Sequence, residues 1–362
     1  MGKKITMQDI ADAARVSKSA VSFAYNTPDR LSSETVEHIF SVAKELGYVR
    51  NPVAYMLRTQ KTNSLGLLLP QQLGRVLENP YYSEFIQGIG QICEREGLTL
   101  LLVPPLRNSM LKAIPYAAVD GFIVTGLEED RGEVEALMQQ GKPFVIVDSE
   151  VHSQAPSINI DETRAMKELT EHLISLGHRN FVVISPESGN DDGYLSWHGT
   201  IRRRIDGVIS ALEENGIAPL VDKKNVIEVP CTRAGGKEAF AQIKQNNSVL
   251  PTAFICFSDV IAFGVMDAAR QFGLQIPRDI SVTGFDDLDE SACSNPPLTT
   301  VKQPVTTKGR LAAEYIVETL NAGYERASSR HVCLPITVLL RESIGPAAVS
   351  YTHLTLPTNR EV

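Results

Sequence analysis

The chain has 362 residues, of which 43% are hydrophobic and 22% charged, and its net charge is −8. This is the composition of a globular protein with room for two or three domains of about 150 residues each. No apolar run approaches the roughly 20 residues of a membrane helix, and the N-terminal lysines are followed by an acid and not by an apolar stretch. We therefore expect neither a membrane span nor a signal peptide.

The cysteines indicate the cellular compartment, and the distribution of charge indicates which part of the chain can contact DNA. The five cysteines lie far apart and form no C-x-x-C pair, which argues against a disulfide framework or a zinc site and favours a reducing cytoplasm. Residues 1–61 carry nine Lys or Arg against six Asp or Glu, so a mildly basic segment precedes an acidic remainder. Such a segment can approach DNA phosphates although the whole chain is acidic.

Residues 5–47 are predicted to form three short helices. Thr6 can cap the first, Ser17 the second, and Ser32 a third that ends at Gly47. The short turn between the first two helices is typical of a helix-turn-helix.

The second helix has two different faces. Val21, Ala24 and Tyr25 recur at helical spacing and are expected to pack on the first helix. The opposite face is small and polar, with one charge and one aromatic ring, and comprises Lys18, Ser19, Ser22, Phe23 and Asn26. Such a face fits the roughly 12 Å wide major groove, where these side chains can meet base edges. The alternative is a three-helix cap whose polar face is merely solvated.

Beyond Ser64 the pattern changes to short apolar runs that alternate with longer amphipathic stretches. The runs are 65–69, 98–103, 119–124, 143–147, 181–184, 253–257 and 280–285. Apolar strands alternating with helices predict a parallel sheet covered on both faces. There are more units than one compact sheet holds, so we expect two α/β lobes. Residues 346–362 fit no element and are set aside as an irregular tail that need not be native.

Open parallel sheets bind ligands beyond the carboxyl ends of their strands. Polar residues follow the predicted strands there, namely Gln71, Gln72, Asp148, Ser258, Asp259, Asp286 and Asp287. Carboxylates and amides in that place suit a hydroxyl-rich ligand, and Tyr81 or Tyr82 can stack on a ring. An aspartate after a strand can instead cap the next helix, and for Asp148, Asp259 and Asp287 both interpretations stay open.

Several segments resemble LacI/GalR-family repressors. They are residues 5–11, 16–22, 44–48, 63–66, 176–179, 257–264, 280–287 and 297–301. The resemblance implies an all-α helix-turn-helix headpiece, a hinge helix, and a two-lobed α/β sensor like a type I periplasmic binding protein. The chain would cross between the lobes near residues 160, 292 and 324. The implied boundaries are 1–48 for the headpiece, 49–62 for the hinge, 63–160 with 293–324 for the first lobe, and 161–292 with 325–345 for the second.

The resemblance also implies a homodimer on a near-palindromic operator, with half-sites about one helical turn apart. Residues 51–58 would form a hinge helix only on DNA, and its leucine would wedge between base pairs in the minor groove. The implied DNA contacts are Thr6, Ser17, Lys18, Ser19, Ser22, Phe23, Asn26, Ala54 and Leu57. Phe23 stands where relatives often carry Arg or His, so we expect a different operator sequence. Val36 replaces a common Arg of the third helix, and Arg50 and Tyr55 replace the usual hinge residues, so the affinity for DNA is expected to differ as well.

In the sensor, Arg204 matches the arginine with which the family forks to ligand oxygens, and Asp286 matches an aspartate of the same pocket. Cys231 stands about where relatives place an aromatic ring, which indicates a different or smaller ligand. Arg202 and Arg203 are expected to be solvated surface charges. The implied effector contacts are Tyr81, Tyr82, Asp148, Arg204, Cys231, Ser258 and Asp286.

Two other functions are disfavoured. An enzyme is disfavoured because the sequence has no G-x-G-x-x-G after the first strand, no P-loop, no H-E-x-x-H and no G-x-S-x-G. A secreted sugar carrier is disfavoured by the extra N-terminal segment. The sequence thus predicts a cytoplasmic, homodimeric transcription regulator, as a repressor, without cofactor, metal or membrane partner. Its effector is expected to be a sugar or sugar phosphate, with a purine as second choice.

Overall fold

The computed structural model describes residues 5–49, 52–127, 129–149, 155–188, 194–218, 225–247, 249–322 and 330–348. The chain divides into two compact units, Met1–Thr62 and Asn63–Val362. Three sites of the sequence-based predictions lie outside the described residues, namely residues 50–51, the side chains of Ala54 and Tyr55, and the tail from residue 349.

The first unit contains three capped helices around a small core. They are α1 (Met7–Ala14), α2 (Lys18–Asn26) and α3 (Ser33–Glu45). Each begins where the sequence predicts, because a hydroxyl accepts a hydrogen bond from a backbone N–H of the first turn. The three capping residues are Thr6, Ser17 and Ser32. Ile10, Val21 and Ile39 are fully buried between the helices, so the predicted helix-turn-helix is confirmed.

A fourth helix, α4 (Pro52–Thr59), follows in the same unit. Its apolar side chains Val53 and Leu57 are 60% and 79% exposed. The segment predicted as a hinge helix is therefore helical and presents apolar surface to solvent. That this helix forms only on DNA stays a prediction.

The second unit alternates strands and helices. Its strands are β1 (Ser64–Leu68), β2 (Thr99–Val103), β3 (Gly121–Thr125), β4 (Phe144–Val147), β5 (Ser157–Ile160), β6 (Phe181–Pro186), β7 (Val226–Val229), β8 (Ala253–Cys256), β9 (Ser281–Thr283), β10 (Thr300–Lys302), β11 (His331–Leu334) and β12 (Thr337–Leu339). Its helices are α5 (Leu73–Glu78), α6 (Pro80–Glu96), α7 (Met110–Ala113), α8 (Glu133–Gln139), α9 (Glu162–Ser175), α10 (Gly199–Glu214), α11 (Arg233–Asn246), α12 (Asp259–Gln271), α13 (Asp289–Cys293) and α14 (Val305–Ala322).

The first lobe is a parallel six-stranded sheet in the order β11-β5-β4-β3-β1-β2. Successive residues of β1 face opposite sides: Leu67 packs with α6 and α14, and Leu68 with α7 and α8. Helices α6 and α14 approach closely, since a Cβ on Gly88 would lie 2.0 Å from the carbonyl oxygen of Thr306.

The second lobe is a parallel four-stranded sheet in the order β7-β6-β8-β9. Val183 of β6 packs with α9 and α10 on one face, and Val182 packs with α11 and α12 on the other. A separate antiparallel pair joins β10 to β12. The inner strands β3, β4, β5, β6 and β8 are buried on both faces, which explains why they read as continuous apolar runs.

Two of the predicted crossings between lobes are wrong. The first lies where expected, because β5 belongs to the first lobe and α9 to the second. The second comes after β10 and not near residue 292, since Thr299 and Lys302 bridge to Thr283 and Asp286 of the second lobe. The third comes after β11 and not near residue 324, because β11 pairs with β5. Residues 293–302 therefore belong to the second lobe and not to the first, and residues 331–334 belong to the first lobe and not to the second.

The start of the predicted irregular tail is part of the second lobe. The backbone N–H of Ala347 donates to the carbonyl of Leu176 at 2.9 Å. None of the helices in the described parts of the chain is both long and apolar enough to cross a membrane.

Candidate functional site

The polar face of α2 is open at its N-terminal end. Lys18 and Ser19 are exposed, whereas Val21 on the opposite face is fully buried. The first turn is fixed because the backbone N–H of Ala20 donates to the hydroxyl of Ser17 at 3.0 Å. A rigid helix end thus presents a lysine and a serine to solvent.

The rest of this face makes contacts inside the headpiece. The guanidinium of Arg30 lies 5.3 Å from the centroid of the Phe23 ring, and the side-chain amide of Asn26 donates to the carbonyl of Ser22 at 2.6 Å. Phe23, Ser22 and Asn26 are partly buried. Lys18 and Ser19 are therefore the most accessible of the predicted base-reading groups on this helix.

The remaining predicted DNA contacts differ in their surroundings. Thr6 is exposed, and its hydroxyl donates to the carboxylate of Asp9 at 2.6 Å in the cap of α1. Leu57 is exposed on α4, and the side chain of Ala54 lies outside the described residues. Contact of any of these residues with DNA stays a prediction.

All seven predicted effector contacts line one cavity between the two lobes, with a volume of about 160 Å³. The first lobe contributes Tyr81 and Tyr82 from the start of α6 and Asp148 from the end of β4. The second lobe contributes Arg204 from α10 and three residues that follow strands, Cys231, Ser258 and Asp286. The strand-end rule thus predicts where Asp148, Ser258 and Asp286 meet, and contact of any of the seven residues with a ligand stays a prediction.

The backbone at the two aspartates departs from ordinary geometry. Asp148 has φ of 49° and Asp286 has φ of 134°, a region that non-glycine residues rarely occupy. Such strained positions collect at ligand sites, where the surrounding structure holds them in place. Both carboxylates are turned by their strand ends toward the cavity that they line.

In the first lobe, Asp148 is held by two buried donors. The hydroxyl of Tyr81 donates to one carboxylate oxygen and the ammonium of Lys308 donates to the other. Lys308 has no exposed surface, and it also donates to the side-chain oxygen of Gln303. Burial, followed by the nearby charge of Asp148, raises the pKa of Tyr81 well above its usual value. Tyr81 is therefore a permanent donor here.

In the second lobe, Asp286 is held by neutral donors. The side-chain amide of Gln303 donates to one oxygen at 2.5 Å, and the hydroxyl of Ser258 donates to the other at 3.1 Å. Burial and the charge of Asp259 raise the pKa of Asp286 to about 7, against the opposing effect of Arg204. Because Gln303 also accepts from Lys308, its amide orientation is fixed and a hydrogen-bonded chain joins the two aspartates.

Arg204 enters the cavity with one donor unused. Its Nη1 donates to the carbonyl of Phe257 at 2.5 Å, and its guanidinium carbon lies 3.7 Å from the centroid of the Phe285 ring. Its Nε is buried and has no hydrogen-bond partner among the described residues. A buried donor without a partner is costly, so this atom marks a place where a ligand oxygen would be stabilised.

Comparison with known proteins decides the family. Residues 6–51 match the bacterial regulatory proteins of the lacI family, and residues 170–344 match the periplasmic binding protein-like domain. An HTH-type transcriptional regulator of Mycolicibacterium smegmatis is 34% identical over 336 residues, which cover 87% of this chain and 90% of the relative. The chain belongs to the LacI family.

Two further matches agree with this. The ribose operon repressor of Haemophilus influenzae is 30% identical over 349 residues, covering 94% of this chain and 98% of the relative. The lac repressor dimer bound to operator and the anti-inducer ONPF superposes with a TM-score of 0.78 at 25% identity, covering 95% of this chain and 100% of the other. The predicted fold is confirmed, and this LacI-family chain is a transcriptional regulator, as its relatives are.

Some polar residues of this LacI-family sensor do not reach the cavity. Asp259 is fully buried and accepts from the backbone of Leu288 and from two hydroxyl groups, so it fixes the loop before α13. Asp287 pairs with Arg341 at 2.6 Å. Gln72 donates to the carbonyl of Pro105. Neither aspartate caps the helix that follows it, and neither lines the cavity, so both interpretations of Asp259 and Asp287 are wrong, whereas Asp148 and Gln71 do line the cavity.

Arg203 corrects one sequence-based expectation. It is not a solvated charge, because its guanidinium donates two hydrogen bonds to the carboxylate of Glu162, at 2.8 and 3.3 Å. The side chain of Glu162 has no exposed surface. Arg203 also donates to the carbonyl of Ser149 at 3.2 Å, from the second lobe to the first. Arg202 is the more exposed of the two and pairs with Asp206.

Lys308 and Gln303 are the functional residues that sequence reasoning missed. Lys308 shares a stripe of α14 with buried Val305, Ala312 and Ile316. A lysine at such a position has to find a buried partner. That interruption of an apolar stripe was the available signal. Gln303 carried no local signal, because its role follows from the crossing between lobes.

Proposed function

We propose that this LacI-family regulator is a homodimeric repressor whose affinity for an operator is set by a small polar effector in the interlobe cavity. One observation carries the proposal: the same chain has an open polar helix end in its headpiece and, in its sensor, a polar cavity that both lobes line. Allosteric control of DNA binding requires two distinct sites, one for DNA and one for the effector.

On the DNA side, Lys18 and Ser19 of each subunit would enter a major groove and contact base edges. The two subunits would occupy half-sites about one helical turn apart. Leu57, with 79% of its surface exposed, would wedge into the minor groove, which costs a few kcal/mol and kinks the duplex. The match to a dimeric repressor bound to its operator supports this arrangement.

On the ligand side, the cavity would hold a sugar or sugar phosphate, and a purine is the second candidate. Asp148 and Asp286 would accept from hydroxyl groups, the buried Nε of Arg204 would donate to a ligand oxygen, and Tyr82 would lie against a ring. A regulator of Enterococcus faecium with bound ribose, at 25% identity and a TM-score of 0.65, supports a sugar. Binding would alter lobe closure, and with it the order of the hinge helix and the operator affinity.

The test is sequence-specific DNA binding. Selection from a random duplex library should recover a near-palindromic site, and a mobility shift on that site should weaken as salt is raised, because counterions are released from phosphates. Lys18→Ala should reduce affinity by about 1–3 kcal/mol if it contacts a base. Lys112→Ala, at an exposed position of the sensor, is the matched control. Binding without sequence preference, or equal losses in both variants, would contradict the proposal.

A further inference from the structure

Arg30 lies beside the polar face of α2 but belongs to the segment that follows this helix. A short helical turn, Pro28–Arg30, connects α2 to α3. The guanidinium carbon of Arg30 lies 5.3 Å from the centroid of the Phe23 ring, a distance at which an aromatic face attracts a cation. Arg30 is exposed. The headpiece thus holds a second cation close to the face on which Lys18 is the only charge.

The backbone that carries Arg30 is fixed on both sides. The N–H of Arg30 donates to the carbonyl of Thr27 at 3.0 Å, and the N–H of Leu31 donates to the carbonyl of Pro28 at 2.9 Å. The side chain of Leu31 packs against the headpiece core, and the ring of Pro28 restricts the turn further. A side chain on such a backbone loses less conformational freedom on binding than one on a free loop.

The ring of Phe23 places this cation on the side of α2 that is predicted to face DNA. Ser19 and Phe23 are four residues apart and are therefore neighbours on one helix face, and Ser19 is exposed. In the described parts of the chain, the side-chain N–H groups of Arg30 meet no hydrogen-bond acceptor and no carboxylate. Its donors are therefore free to contact DNA.

A guanidinium in this place matches the acceptor pair of guanine. The N7 and O6 atoms of guanine both accept hydrogen bonds at the major-groove edge, and two N–H donors of one arginine can meet them together. A phosphate contact requires only the charge of the side chain, because phosphates carry no sequence information. A base contact also requires a fixed direction, which the Phe23 ring and the short turn provide.

We propose that Arg30, positioned by Phe23, hydrogen-bonds a guanine in each half-site of the operator. The proposal rests on the proposed function, in which the polar face of α2 enters the major groove. It adds to Lys18 and Ser19 a base-contacting residue that lies outside the helix, and it specifies one base of the half-site. Phe23 is a positioning residue here, because it holds the guanidinium and need not touch the guanine.

The experiment selects binding sites from a random duplex library with the full wild-type chain and with Arg30→Ala. Wild-type protein should select a guanine at one position of each half-site. Arg30→Ala should lose the preference at that position alone, and its affinity for the wild-type site should fall about tenfold or more. Arg30 is exposed, so the variant should keep the thermal midpoint of wild type. Arg164→Ala, at an exposed position of α9, is the matched control and should keep both the site and the affinity.

A modified base tests the contact directly. The base 7-deazaguanine lacks the N7 acceptor, so its presence at the selected position should weaken the binding of wild type about fivefold or more. Arg30→Ala has already lost this contact and should bind the two duplexes equally. Phe23→Leu keeps an apolar side chain but removes the ring, and it should lose most of the response to 7-deazaguanine although Arg30 is still present.

A phosphate contact would give a different pattern. Arg30→Ala would then select the same sequence as wild type, weaken binding to selected and unselected duplexes alike, and lower the salt dependence by about one for each bound subunit. That pattern would overturn the proposal, as would a selected site without the guanine or an equal response of wild type and Arg30→Ala to 7-deazaguanine. In each of these cases wild type still selects a site, so the proposed function stands. A wild type that selects no sequence would overturn both.

Discussion

Each lobe forms one wall of the cavity, and each wall carries one aspartate, Asp148 in the first wall and Asp286 in the second. The two aspartates have similar backbone positions but different hydrogen-bond donors. Asp148 and Asp286 each follow a parallel strand and each has a positive φ. Asp148 accepts from the ammonium of Lys308, whereas Asp286 accepts from the neutral Gln303 and Ser258. Burial and the charge of Asp259 raise the pKa of Asp286 to about 7, because both disfavour the ionised form of a carboxylate. The strand end thus decides where each carboxylate lies, and residues distant in sequence decide which donors it meets.

The largest expected effect comes from removing the cation of the first wall. Lys308→Met leaves the Asp148 carboxylate without its charged partner in a buried setting, which should cost about 3–5 kcal/mol in the free energy of unfolding. Urea unfolding of the full chain measures this loss. Combining Lys308→Met with Asp148→Asn should restore part of the stability, because no uncompensated charge remains.

Lys112→Met is the matched control, since Lys112 is exposed on α7 and its replacement should change stability by no more than about 0.5 kcal/mol. Equal losses for the two lysine variants would mean that Lys308 stabilises the first wall by packing of its stem and not by its charge. The contrast between the two walls would then disappear.

The roles that sequence predicts well are those of residues whose partners are close in sequence or whose place follows from the order of strands. Ser17 and Ser32 cap their helices because a hydroxyl placed just before a helix can reach a free N–H within the next three residues. Asp148, Ser258 and Asp286 reach one cavity because parallel strands end on the same edge of a sheet. Both rules need only the order of residues along the chain.

The positions that sequence predicts poorly depend on distant partners. Lys308 meets Asp148 across 160 residues of chain, and Arg203 meets Glu162 across 41. The crossings after β10 and β11 follow from which strand each one pairs with, which apolar patterning does not specify. The resemblance to a family supplied Arg204 and Asp286, but not Lys308 or Gln303.

The second wall should respond to pH. The folded pKa of Asp286 is about 7, above its ordinary value of 3.8, so the unfolded chain releases this proton at lower pH than the folded protein does. The contribution of Asp286 to stability should therefore fall as pH rises from about 4 to about 7, by at most about 1.4 kcal/mol per pH unit, and then level off.

Unfolding free energies of wild type and Asp286→Asn across this range isolate the effect. The nearby Asp259 and Arg204 are present in both proteins, so the difference between the two curves reports Asp286 together with its charge interaction with Asp259. A difference that does not change with pH would show that Asp286 is ionised throughout, as expected of a carboxylate with a cation in contact. The two walls would then be equivalent.

A smaller loss of unfolding free energy is expected from Arg203, which donates from the second lobe to the Ser149 carbonyl of the first. Arg203→Lys keeps the charge but loses the paired hydrogen bonds to buried Glu162 and the contact with the Ser149 carbonyl. This should cost about 1.5–3 kcal/mol, because hydrogen bonds to charged groups are lost in a largely buried site. Arg202→Lys, in the half-exposed pair with Asp206, is the neighbouring control and should cost less, about 0.5–1 kcal/mol. If chemical unfolding shows equal losses of unfolding free energy for the two variants, the contacts of Arg203 with Glu162 and Ser149 contribute no more to stability than the Arg202–Asp206 pair does.

The smallest effect tests the neutral donors of the second wall directly. Ser258 precedes α12, but its hydroxyl makes no capping bond and donates to Asp286 instead. Ser258→Ala should therefore cost only about 0.5–1.5 kcal/mol at neutral pH. It should also move the pH at which the Asp286 contribution levels off upward, because one donor to the ionised form is lost. Ser210→Ala, on the exposed hydroxyl that donates to Glu214, should leave that pH unchanged. If Ser258→Ala leaves the pH at which the Asp286 contribution levels off unchanged, the hydrogen bond from Ser258 has no effect on the pKa of Asp286. Burial and the charge of Asp259 would then be sufficient to explain the raised pKa.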